Sequence, residues 1–151
     1  MKSRKPADPE AILKRMAGLC AKSEQCSFDI ATKLYKAGLP REKREEIMEY
    51  LQSHRYIDDE RYARSFASYK VRFSGWGKRK IRMALAAKRI PGETVAAAIE
   101  AIDDEEYLST LKRIAESKKR DLDMHDREQR AKLYRHLVSR GFESSLILKM
   151  L

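Results

Sequence analysis

The chain has 151 residues, about one ordinary domain by length, and carries 33 Lys and Arg against 23 Asp and Glu, a formal net charge of +10. No apolar run approaches the roughly 18 residues of a membrane span, two cysteines imply no disulfide framework, and the charged start Met1-Lys2-Ser3-Arg4-Lys5-Pro6 lacks the apolar stretch of a secretory signal. A cytoplasmic monomer is expected, with an anionic partner to meet its excess charge. Only four prolines and six glycines interrupt the chain. No period-two run or Asn-Gly turn signals a strand, and the plentiful Ala, Leu, Lys, Arg, Glu and Met predict an all-α fold.

In chain order, residues 1–7 are expected to be a disordered tail. Asp8-Pro9 suits a helix cap and first position, and Ile12, Leu13, Met16, Leu19 and Cys20 mark the apolar face that follows. Next comes a pattern found three times: Ile30, Leu34, Gly38, Leu39; Ile81, Leu85, Arg89, Ile90; and Leu133, Leu137, Gly141, Phe142. Two apolar residues four apart share a helical face, a left-handed cap follows, and a further apolar residue folds back on the last turn. Pro40 and Pro91 follow the first two copies and suit the opening of another helix. Those next helices show Ile47, Met48 and Leu51, then Val95, Ala98, Ile99 and Ile102, then Leu146, Ile147 and Met150.

A second repeat joins Ile57-Asp58-Asp59-Glu60 to Ile102-Asp103-Asp104-Glu105, with acids where a helix's first turn favours them. Asp126 with Gln129 has the form of a capping box, after a polar loop over 118–125. The chain thus divides into three-helix repeats over 8–53, 54–102 and 103–151. Units of this size bury little alone, so they are expected to stack as an elongated or curved array.

Charge is distributed unevenly. Between Arg61 and Gly92 lie ten basic residues and no acid, whereas residues 1–60 hold 12 basic and 11 acidic groups and residues 93–151 hold 11 and 12. Solvated helices usually mix signs to gain i,i+4 pairs, so this window is the expected partner surface: Arg72, Lys78, Arg79, Lys80, Arg82, Lys88 and Arg89. Of these, Lys78, Arg79 and Lys80 open a helix where cations oppose its dipole, and a bound anion would explain them. Lys88 and Arg89 near a helix end have a structural reason as well. Arg64, Lys70 and Trp76, with Arg127, Arg130, Lys132 and Arg135 of the third repeat, rank lower. Tyr62, Phe66, Tyr69 and Phe73 fit one helical stripe and read as core, while Trp76, between two glycines, reads equally as a packing wedge or a surface contact.

Catalytic readings are weak. His54, His125 and His136 lie in different repeats, Cys20 and Cys26 have no histidine nearby, and Gly75-Trp76-Gly77-Lys78-Arg79 lacks the spacing of a phosphate loop. No catalytic residue, metal site or cofactor is expected.

Tyr56-Ile57-Asp58-Asp59-Glu60-Arg61-Tyr62-Ala63, followed by Gly77-Lys78-Arg79-Lys80-Ile81-Arg82 and then Leu85, Lys88 and Ile90, resembles the central signature of the RecX regulatory proteins. Leu34-Tyr35-Lys36-Ala37-Gly38 and Leu137-Val138-Ser139-Arg140-Gly141-Phe142 resemble that family's first and third repeats. Arg89 stands where the family often has Gly, and Gly75-Trp76 replaces what is often a basic residue. The resemblance implies three tandem three-helix units and a non-enzymatic role in DNA repair, recombination and the SOS response. It implies binding of the RecA filament on single-stranded DNA, with suppression of ATP hydrolysis, strand exchange and co-protease activity. Whether DNA is touched directly stays open. The alternative is a stand-alone basic helical protein that binds nucleic acid without RecA.

Overall fold

The structure, a computed structural model, describes residues 7–151, and among them every regular element is an α-helix. Contacts group the chain into one unit ending at Tyr62 and another from Ala63 to Leu151. The first unit holds α1 (Pro9–Lys22), α2 (Ser27–Lys36) and α3 (Arg41–Ser53), with the opening turn of α4 (Asp59–Arg72). The second holds the rest of α4, then α5 (Lys78–Ala87), α6 (Gly92–Glu100), α7 (Asp104–Lys119), α8 (Arg127–Ser139) and α9 (Ser144–Leu148). Residues 1–6 of the expected tail lie outside the described residues, while Ala7 packs against the first core.

In the first unit, Ile12 and Met16 of α1 meet Ile30 and Leu34 of α2 and Ile47 and Leu51 of α3. Asp8 caps α1 as its sequence suggests, accepting from the N–H of Glu10. The acids before α4 work as helix-start groups. Asp58 accepts from the N–H of Arg61 at 3.1 Å. Asp59 reaches to α2, which has no side-chain cap of its own, and accepts from the Ser27 N–H at 2.8 Å and the Ser27 hydroxyl at 2.5 Å.

The thrice-found pattern is the organising feature of the fold. Gly38, Arg89 and Gly141 all adopt left-handed backbone, with φ of 81°, 57° and 97°. Leu39, Ile90 and Phe142 then turn inward and are buried. After α5 and α8 the turn closes as a double hydrogen bond, Arg89 N–H to Ala86 O with Ile90 N–H to Leu85 O, and Gly141 N–H to Val138 O with Phe142 N–H to Leu137 O. Pro40 and Pro91 sit at the capping position just before α3 and α6. At α8 the reciprocal box does not form. Asp126 accepts from the Glu128 N–H, while the Gln129 side chain accepts from the N–H of Asp123.

One expectation fails. The buried stripe of α4 is Ala63, Ala67 and Val71, not the aromatic series. Tyr69 and Phe73 are 56% and 71% exposed, and Tyr62 and Phe66 are half-buried. At about 100° per residue the two stripes lie roughly a third of a turn apart, and both have helical spacing. The small residues win because the second core is already filled by Ile81 and Leu85 of α5 and Val95 and Ile99 of α6. The third repeat centres on Tyr107, Leu111, Leu133, Leu137, Phe142 and Ile147, all buried.

Candidate partner-binding surface

The turn after α4 is fixed by its glycines. Gly75 has φ 64°, and a Cβ there would strike Ile114 of α7. Gly77 lies so close to Gly141 that a Cβ on it would enter the Gly141–Phe142 backbone. This close approach brings the carbonyl end of α8 against the amide end of α5. Gly77 N–H donates to Arg140 O at 2.7 Å and Arg79 N–H to Gly141 O at 3.0 Å. Lys78 N–H donates to the Tyr107 hydroxyl at 2.9 Å, and that hydroxyl donates to Glu143 at 2.5 Å. Burial, and then the hydrogen bond to Glu143, keeps the Tyr107 phenol protonated far above its ordinary range.

This joint corrects the anion expected at the start of α5. The N–H groups of Gly77, Lys78 and Arg79 already have protein acceptors. The negative end of the α8 dipole faces the positive end of α5, so cations at that start oppose no uncompensated field.

The basic window also has acids that its own sequence does not show. Arg61 is held by Glu24 at 2.6 Å and by the carbonyls of Arg55 and Tyr56. Arg72 makes a two-pronged pair with Glu106, which holds that carboxyl below its ordinary value. Lys78 lies 4.7 Å over the Tyr107 ring and 3.9 Å from Asp104. Those three cations are structural to that extent. Trp76 is half-buried, edge-on to Phe66, with the ammonium groups of Lys70 and Lys80 at 4.4 and 4.5 Å from its ring centre. Trp76 thus joins the packing and surface readings: its ring packs on α4 while two cations cover it.

Arg64, Arg79 and Arg82 are exposed and make no ion pair among the described residues. Arg64 lines a cleft of about 350 Å³ among α4, α6 and α7, together with Arg72, Asp103 and Glu106. Lys88 is half-buried and Arg89 exposed at the left-handed cap after α5. In the third repeat, Arg127, Lys132 and Arg135 are exposed on α8, while Arg130 is half-buried and donates to Met124 O at 3.0 Å. The sequence reading assigned Tyr69 and Phe73 to the core, whereas their rings lie 5.1 Å apart on the outside of α4. Their placement beside Lys70 and Arg72 was the available signal.

Burial and the nearby Glu24 push the Cys20 thiol up, opposite to an activated thiolate. Burial pushes Tyr62 up to about 12. Among the described residues no three His, Cys, Asp or Glu converge as a metal ion needs, and no helix is long and apolar enough to cross a membrane.

Three-helix units closed by the same left-handed cap define a helical-repeat protein. Residues 58–99 match the second three-helix domain of RecX, and residues 104–151 match the third. The regulatory protein RecX of Chlorobium limicola is 31% identical over 122 residues, 80% of this chain and 74% of that one. That of Prosthecochloris aestuarii is 30% identical over 145 residues, 96% and 94% of the two chains. A crystal structure of regulatory protein RecX superposes with a TM-score of 0.78 at 25% identity, over 91% of this chain and 68% of that one. RecX from Lactobacillus salivarius, at 20% identity, shares the fold with a TM-score of 0.81 over 93% and 92%. The chain belongs to the RecX family, whose relatives are named as regulatory proteins.

Proposed function

We propose that this protein is a non-enzymatic regulator that binds the RecA filament on single-stranded DNA and suppresses its ATP hydrolysis, strand exchange and co-protease activity. Family membership supports the regulatory part. The observation that carries the binding part is the residue set left after internal pairing: Arg79 and Arg82 of α5 and Arg64 of α4, exposed and without acid partners among the described residues. Lys70 and Lys80 on Trp76 extend this set, and Lys88 and Arg89 at the end of α5 are assigned to the surface by their position beside it and not by lack of a partner. Arg72 and Lys78 contribute from within their ion pairs. Arg127, Lys132 and Arg135 of the third repeat are secondary contacts. Several modest contacts on rigid repeats add as avidity along a filament, and their charge speeds association and makes it salt-sensitive.

The test is RecA's single-stranded-DNA-dependent ATP hydrolysis with and without this protein, run beside its binding to bare DNA at the same salt. Inhibition at amounts well below those that coat the DNA supports the reading. Strong binding to bare DNA with no inhibition overturns it. The exposed Tyr69–Phe73 pair gives that second outcome a physical basis, because bases stack on such rings beside cations.

A further inference from the structure

The third repeat holds a cleft that the partner surface does not use. It has a volume of about 320 Å³ and lies between α7 and α8. Arg113, Lys118 and Arg140 line it with His136, and Asp121 is the one carboxylate there. Asp121 makes no ion pair with any of the three cations. The two guanidinium groups are held by carbonyls at the last residue of α4 and just beyond it. Arg140 Nη2 donates to Ser74 O at 3.0 Å and Arg113 Nη2 to Arg72 O at 3.4 Å. Arg140 Nε is buried and has no hydrogen-bond partner among the described residues. Burial, then Lys118 and Arg140, push the His136 imidazole below its ordinary value, so the local field is positive.

A protein interior seldom leaves a guanidinium N–H buried and unmet, and three cations, two of them held by hydrogen bonds, around one carboxylate repel each other. A ligand with a negative charge and two or more acceptor oxygens would offset that repulsion. Planar guanidinium groups and an ammonium are the side chains that recognise phosphate. We propose that the cleft between α7 and α8 is a binding site for a phosphate group, held by Arg113, Lys118 and Arg140. None of these belongs to the basic window, so the site stands or falls apart from the RecA reading. The phosphate has two sources, the backbone of a nucleic acid or a terminal phosphate such as that of a nucleotide.

Inorganic phosphate and pyrophosphate titrated into the full chain at constant ionic strength provide the test, read by the histidine ring resonances. The expected result is a saturable shift confined to His136, with His54 and His125 as internal references. Arg113→Gln and Lys118→Gln, checked for unchanged thermal melting, should each weaken the interaction about tenfold or more, as loss of a charge-assisted hydrogen bond does. A non-saturating response matched by chloride overturns the site, as does saturable binding that both variants leave intact. Short single-stranded oligonucleotides with and without a 5′-phosphate then separate the sources. Dependence on that group assigns a terminal phosphate, and equal binding of both, lost in the two variants, assigns the backbone. Binding of both that survives the variants removes the cleft as the site.

Discussion

Tyr107 shows how one side chain fixes an arrangement of three helices. Its ring is 2% exposed, packed 5.4 Å from that of Phe142, and its hydroxyl links the start of α5 to Glu143 ahead of α9. Tyr107→Phe keeps the packing but leaves the Lys78 N–H and the Glu143 carboxylate without their shared partner. The expected loss is about 1–3 kcal/mol in urea denaturation. A change within error would mean that water replaces the hydroxyl at no cost. His136 gives a pH signature with a definite sign. Its imidazole is lowered from 6.5 in the folded chain, so the unfolded state binds the proton first. Stability is therefore full above the ordinary imidazole range and falls as pH drops through 6.5 toward the lowered value. His136→Gln should flatten that slope in thermal melts between about pH 7 and 5. An unchanged slope would assign it to another group. Glu106, also lowered, contributes stability that is lost only below its ordinary 4.5.

At the scale of elements, the joint between α8 and α5 explains why glycine stands at Gly77 and Gly141. Gly141 has φ 97°, and a Cβ at either residue would overlap the facing segment. Gly141→Ala should therefore cost on the order of 3 kcal/mol, combining left-handed strain with overpacking. Gly18→Ala, with open space around it in mid-α1, should stabilise slightly. Equal effects of the two changes in denaturant titrations would contradict the joint. Much of the element order was legible, because each helix end carries a local device: Asp8 as cap, Gly38 and Gly141 as left-handed stops, Leu39, Ile90 and Phe142 as inward anchors. Arg89 was readable by analogy with the two glycines, and it takes the same backbone conformation at the steric cost a side chain brings. The buried face of α4 was not legible. Tyr62, Phe66, Tyr69 and Phe73 are spaced 4, 3 and 4 apart and Ala63, Ala67 and Val71 are spaced 4 and 4, both helical, so periodicity does not select between them.

For the whole molecule, the net charge of +10 is concentrated in the window from Arg61 to Gly92 along the sequence, but less so in space. Glu24, Glu106 and Asp104, all outside the window, neutralise part of it. That pairing spans 26 to 37 positions, beyond what helical periodicity reports, so the sequence indicated a basic surface without indicating which cations stay free. Arg79 and Arg82 are the clearest of those, while Lys78 is tied to Asp104 and Tyr107. A reversal at Lys78 would disturb the fold as well as the surface, whereas Arg79→Glu with Arg82→Glu leaves the joint's backbone hydrogen bonds in place. The most direct measurement is RecA's ATP hydrolysis on single-stranded DNA titrated with the wild-type chain and with the Arg79→Glu/Arg82→Glu variant, at one salt concentration and with melting temperatures matched. The account predicts that the wild type inhibits at amounts far below DNA saturation and that the variant needs about tenfold more or higher. Equal inhibition by both chains would contradict the assignment of this surface, and no inhibition by either would contradict the regulator itself.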